Sequence, residues 1–100
     1  MEPIYVVAYQ DDCEMDVIGV YRNKEDAVKA MCEDVRNETT RSAQNPEAIR
    51  DTQFTPGMKL AYSEAYTTIR VRIDDDELGA KLSAYGYFTS WQIIKVNEIK

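Results

Sequence analysis

The chain has no histidine, only two cysteines, and four glycines that never cluster. Without histidine it lacks the commonest general base and the commonest zinc ligand. Scattered glycines exclude the loops that hold phosphates or dinucleotides, and no serine lies in a G-x-S-x-G elbow. These absences predict a protein that is not an enzyme and needs no cofactor.

Long hydrophobic runs are also missing. The apolar stretch Ile4–Tyr9 leads directly into Gln10, Asp11 and Asp12, with no positive charge before it. It is too short for a secretory signal or a membrane span. We therefore expect a cytoplasmic protein without a membrane partner, in which Cys13 and Cys32 stay as free thiols.

Basic residues are outnumbered, 12 to 18, and the formal net charge is -6. A protein that binds a nucleic-acid backbone needs lysine and arginine to replace counterions, so direct nucleic-acid binding is not expected. The acids concentrate in residues 1–38. This imbalance predicts a protein partner with a basic surface.

One acidic run has part of the spacing of a calcium loop. Asp12, Glu14 and Asp16 occupy its first, third and fifth positions. The sixth position requires glycine and is Val17, while the twelfth requires glutamate and is Asn23. The sequence therefore predicts no metal site here.

Hydrophobic periodicity predicts one α+β domain over residues 1–100. Ile4–Tyr9 and Val17–Arg22 are predicted strands with apolar residues on both faces. This pattern indicates central strands, or a sheet that is covered on one side and partnered on the other. Lys24–Glu38 is a predicted long helix, capped by Asn23.

The second half is predicted from weaker patterns. Asn45-Pro46 favours a short helix to about Asp51, and Tyr66–Ile73 alternates as a strand with a basic, solvent-facing side. Leu78 and Leu82, four residues apart, favour a short helix over 74–84, and Trp91–Ile99 is the predicted closing strand. The resulting fold is a four-stranded, mainly antiparallel sheet with one long and one or two short helices, in the order β-β-α-(α)-β-α-β.

Aromatic residues cluster in the segment Tyr85–Trp91. Three interpretations stay open: Phe88 and Trp91 anchor the core, Tyr85 and Tyr87 form a protein-binding patch, or the rings stack on bases. Base stacking normally accompanies a basic surface, and only Lys81 and Lys95 are near in the sequence.

The segment Val17–Ala27 reads VIGVYRNKEDA, a strand that ends in G-V-Y and is followed by a polar step and a helix start. It resembles a pattern in small bacterial and phage-encoded accessory proteins of uncharacterised function. The segment that carries the resemblance is 11 of the 100 residues and includes no catalytic residue. The resemblance implies a small accessory protein that inhibits or modulates a host complex.

These observations predict a non-enzymatic protein-binding module. The expected partner-binding residues are the acids between the first two strands and two tyrosines: Asp11, Asp12, Glu14, Asp16, Tyr85 and Tyr87. The alternative is a protein that binds a small, nucleotide-like ligand as an oligomer, and the third hypothesis is an enzyme that uses carboxylates only. A homodimer is compatible with the first two hypotheses.

Overall fold

The computed structural model describes residues 2–97, which form six strands and one long helix. In chain order these are β1 (Ile4–Gln10), β2 (Met15–Tyr21), α1 (Lys24–Ser42), β3 (Lys59–Ser63), β4 (Thr68–Ile73), β5 (Gly79–Ala84) and β6 (Tyr87–Val96). A single 3-10 turn, Pro46–Ile49, lies where a short helix was predicted.

The fold class is α+β, but the predicted four strands and several helices are wrong. The predicted helix over 74–84 is a turn followed by β5. Its residues Ala80, Leu82 and Ala84 are buried and alternate with exposed Lys81, which is the period of a strand. The Leu78–Leu82 spacing was misleading because Leu78 lies in the turn before the strand.

The sheet is antiparallel throughout, in the order β2-β1-β6-β5-β4-β3. β1 lies inside the sheet as predicted, whereas β2 is an edge strand. β6 begins at Tyr87, earlier than predicted, because Tyr85 and Gly86 form the tight turn after β5 with φ of 54° and 79°. Residues 98 and 99 of the predicted closing strand lie outside the described residues.

The helix α1 begins where the sequence predicted. The Asn23 side chain accepts a hydrogen bond of 2.8 Å from the backbone N–H of Asp26. The predicted apolar stripe of Val28, Met31, Cys32 and Val35 is buried. The helix packs on one face of the sheet, where it contacts β1, β2, β4, β5 and β6. The core between them includes Val7, Ile69, Ile73, Leu82, Trp91 and Ile93.

The connection from α1 to β3 is held to the core by Phe54, which is 7% exposed. The guanidinium carbon of Arg36 lies 5.2 Å from the centroid of the Phe54 ring.

Within residues 2–97, no helix combines the length and the apolarity needed to cross a membrane.

Candidate functional site

The sheet face opposite α1, here called the open face, has no helix over it in the described part of the chain. Strand side chains alternate between the two faces. A bulge in β2 interrupts this alternation between Val17 and Gly19, so that Val17 and Val20 both lie on the open face. Six exposed aliphatic residues from β1, β2 and β6 lie on the open face and are here called the apolar patch: Ile4, Met15, Val17, Val20, Ile94 and Val96.

Cross-strand pairing makes the apolar patch continuous. Val6 is paired with Val20 on one side and with Ile94 on the other, and Ile4 is paired with Val96. Directly paired residues share a face, with their Cβ atoms about 5 Å apart. Val20 is 57% exposed and Met15 is 73% exposed, so the side of the patch on the edge strand is the most accessible.

The predicted acidic residues lie at the turn between β1 and β2, here called the acidic turn (Asp11, Asp12, Glu14 and Asp16). Asp11 has a structural role there. Its carboxylate accepts hydrogen bonds of 2.8 Å from the backbone N–H groups of Cys13 and Glu14, and one of 2.7 Å from the Tyr9 hydroxyl. These bonds, the Tyr9 hydroxyl first among them, lower the pKa of Asp11.

The other members of the acidic turn point in different directions. Asp12 lines a concavity on the open face together with Asp11, while the pairing of Asp16 with Tyr9 places Asp16 on the α1 side. Asp16 accepts a bond of 2.8 Å from the N–H of Val17. Within residues 2–97, the carboxylates of Asp12 and Glu14 make no hydrogen bond or ion pair.

Tyr85 and Tyr87 do not join the acidic turn in one surface. Tyr85 is a turn residue whose hydroxyl donates a 3.1 Å bond to Glu64 Oε1. Tyr87 is paired with buried Ala84 and therefore lies on the α1 side of the sheet. The predicted core role of Phe88 is wrong, since it is 66% exposed, whereas that of Trp91 is confirmed at 3% exposure.

The other half of the open face is basic. Lys59 on β3 is paired with Arg72 on β4, which is in turn paired with Lys81 on β5. These three residues, here called the cationic row, border the concavity of about 980 Å³ that also reaches Phe88 and the acidic turn. The alternation around Arg70 and Arg72 predicted a basic side for β4, but the assignment of a helix over 74–84 hid the contribution of Lys81.

No protein-family model, curated protein or solved structure matches this chain. Over residues 2–97 there is also no cluster of three histidine, cysteine or acidic residues that could hold a metal ion. The candidate site is therefore defined by its surface chemistry: an apolar half next to an acidic turn, and a basic half next to a concavity.

Proposed function

We propose that the protein is a non-enzymatic binding module that docks on another protein through the apolar patch, with the acidic turn at its edge. The observation that supports this most strongly is the exposure of a continuous set of aliphatic side chains on one face of the sheet. Contiguous exposed apolar residues bordered by charged residues are typical of protein interaction sites.

The charges around the patch favour a partner whose apolar surface is bordered by lysine or arginine. Glu14 directly precedes Met15 of the patch, and Asp12 lies on the same turn. Because neither carboxylate has a partner among residues 2–97, both are available to basic groups of another protein. Such charges accelerate encounter, while the desolvated aliphatic residues slow dissociation.

The proposal includes a cytoplasmic location, since both cysteines are free thiols, with Cys32 buried in the core and Cys13 exposed. It also includes modulation of a partner complex as the biological role, with inhibition as one form of it. In this proposal the protein catalyses no reaction on its partner and acts by covering a binding site on the partner's surface.

The test compares Val20→Lys with Tyr66→Lys. Both substitutions add one positive charge at an exposed residue, but only Val20 belongs to the apolar patch, while Tyr66 lies in the β3–β4 turn and is 84% exposed. Proteins captured from a bacterial lysate are quantified for each variant, and the specific partner is then purified. We expect Val20→Lys to weaken binding of that partner at least about tenfold, which is about 1.4 kcal/mol.

Charge reversal of Asp12 and Glu14 to lysine tests the electrostatic part. Association with the purified partner should slow, and its dependence on salt should reverse, while the turn keeps the Asp11 hydrogen bonds.

Equal capture by Val20→Lys and Tyr66→Lys would contradict the proposal. A solution mass of two chains that Val20→Lys reduces to one would instead assign the apolar patch to a second copy of this chain.

A further inference from the structure

The cationic row brings three like charges side by side. Arg72 has Lys59 directly opposite on one neighbouring strand and Lys81 directly opposite on the other. Arg70 lies on the same face, two residues from Arg72. Like charges that face each other across strands destabilise a sheet. An anion bound over these residues would remove that repulsion.

Little negative charge within the protein offsets the row. Asp74 Oδ1 lies 3.3 Å from Arg72 Nε, and this is the single ion pair made by these four basic residues in the described range 2–97. Lys59, Arg70 and Lys81 are exposed and have no carboxylate within 4.0 Å there. The remaining positive charge is directed to solvent over the concavity.

The groups beside the row suit a ligand with both a phosphate chain and a ring. Ser83 and Ser90 are paired with Phe88 and Lys81 respectively, so two hydroxyls and an exposed aromatic ring share this part of the open face. Asp11 and Asp12 line the opposite side of the concavity. They repel phosphate, so the charge distribution orients a ligand with its phosphates toward β3–β5.

From this arrangement we propose that the concavity binds a nucleoside triphosphate. The three cations of the row stand on three adjacent strands and span about 10 Å, which fits linked phosphates better than a single one. The base stacks on Phe88. The cavity of about 980 Å³ has the size of a small-molecule site.

A long single-stranded nucleic acid fits this surface less well. A chain that extends from the row toward β6 and β1 meets the acidic turn and the apolar patch, and neither of these binds phosphate. The proposal does not rest on the protein-docking function, because the two use different residues. Val20→Lys is therefore expected to leave nucleotide binding unchanged.

The experiment uses the full chain with ATP and tripolyphosphate as probes, without divalent metal, followed by titration calorimetry and thermal shift. We expect both probes to bind and to raise the melting temperature. Lys81→Gln should weaken both at least about fivefold, because one of the three charges is lost. Lys29→Gln and Lys95→Gln make the same charge change on other surfaces and should leave binding unchanged.

Phe88→Ala separates base recognition from phosphate recognition. It should weaken ATP about fivefold or more and leave tripolyphosphate unchanged, since only ATP carries a ring to stack. Retained intrinsic fluorescence of Trp91 shows that each variant is folded. Three results would each overturn the proposal: no binding of either probe at about 5 mM, equal loss in Lys81→Gln and Lys29→Gln, or tighter binding of an oligothymidylate than of ATP.

Discussion

The indole Nε1–H of Trp91 donates a 2.8 Å hydrogen bond to Asp34 Oδ2, which joins the middle of β6 to the middle of α1. The rings of Trp91 and Tyr9 also pack edge to face, with their centroids 5.8 Å apart. The single tryptophan therefore connects the helix, the last strand and the first strand. Its hydrogen bond also satisfies a polar group that would otherwise be buried without a partner.

Asp34→Ala should lower the free energy of unfolding by about 1–3 kcal/mol, because the buried indole N–H loses its acceptor. Glu33→Ala is the matched control. The Glu33 side chain is adjacent in the sequence and exposed, so this substitution should change the free energy of unfolding by less than about 0.5 kcal/mol. Urea denaturation measures both. Equal effects of the two substitutions would show that the Trp91–Asp34 bond contributes nothing.

Trp91→Ala should cost about 3–5 kcal/mol, since it empties a large volume in the core under α1. The wild-type fluorescence should be shifted to shorter wavelengths than that of indole in water, because the ring is buried. An emission maximum at the position of free indole would contradict the core role of this residue.

Alkaline pH should weaken the fold through Tyr9. The hydrogen bond to the Asp11 carboxylate, together with burial, raises the pKa of the Tyr9 hydroxyl. The folded state therefore holds this proton where the unfolded chain loses it. The stabilisation is complete below about pH 10 and is lost as the pH rises above that value.

Tyr9→Phe removes the titrating group, so the difference in stability between wild type and this variant should shrink from pH 8 to 11. Tyr87→Phe, at an exposed residue outside this hydrogen bond, is the matched control. Parallel pH profiles of wild type and Tyr9→Phe would contradict the coupling between this hydroxyl and the fold.

Acid pH should weaken the fold through Asp11. The lowered pKa of this carboxyl stabilises the folded state above the ordinary pKa near 4, and the stabilisation is lost as the pH falls below that value.

A chelator should leave the melting temperature unchanged. The acidic turn lacks the glycine and the bidentate glutamate of a calcium loop. Asp11 already uses Oδ1 for two backbone N–H groups and Oδ2 for the Tyr9 hydroxyl. Thermal unfolding with and without EDTA measures this. A decrease of several degrees would reveal a structural metal ion.

The sequence predicted the elements whose local pattern and tertiary environment agree. Asn23 caps α1 and its apolar stripe faces the core, and the alternation of Ile69, Val71 and Ile73 gives β4. The prediction failed at β5, where the alternation of Ala80, Leu82 and Ala84 is short and rests mostly on small side chains. Leu78 and Leu82 fit a helix by coincidence. β3, for which no element was predicted, was missed as well, and without β3 and β5 the sheet could not be assigned six strands.

The candidate site was predictable only in part. The exposed acids could be read from composition, but the role of Asp11 in shaping its own turn depends on three-dimensional bonds. Apolar residues on both faces of β1 and β2 indicated either central strands or a sheet partnered on its second side. β1 is an inner strand and β2 is an edge strand, and both contribute apolar residues to the open face. The row of Lys59, Arg72 and Lys81 depends on strand register, which separate sequence segments do not specify.

The pairing of β1 with β6 has a consequence for how the protein folds. Ile4 lies opposite Val96, so the first strand is paired with the last, whereas β3 to β6 are joined by consecutive hairpins. Pairing β1 with β6 closes a loop of nearly the whole chain, which is entropically expensive and slow, whereas hairpins close locally. The hairpins from β3 to β6 are thus expected to assemble first, and arrival of the β1–β2 hairpin, with docking of α1, completes the rate-limiting step.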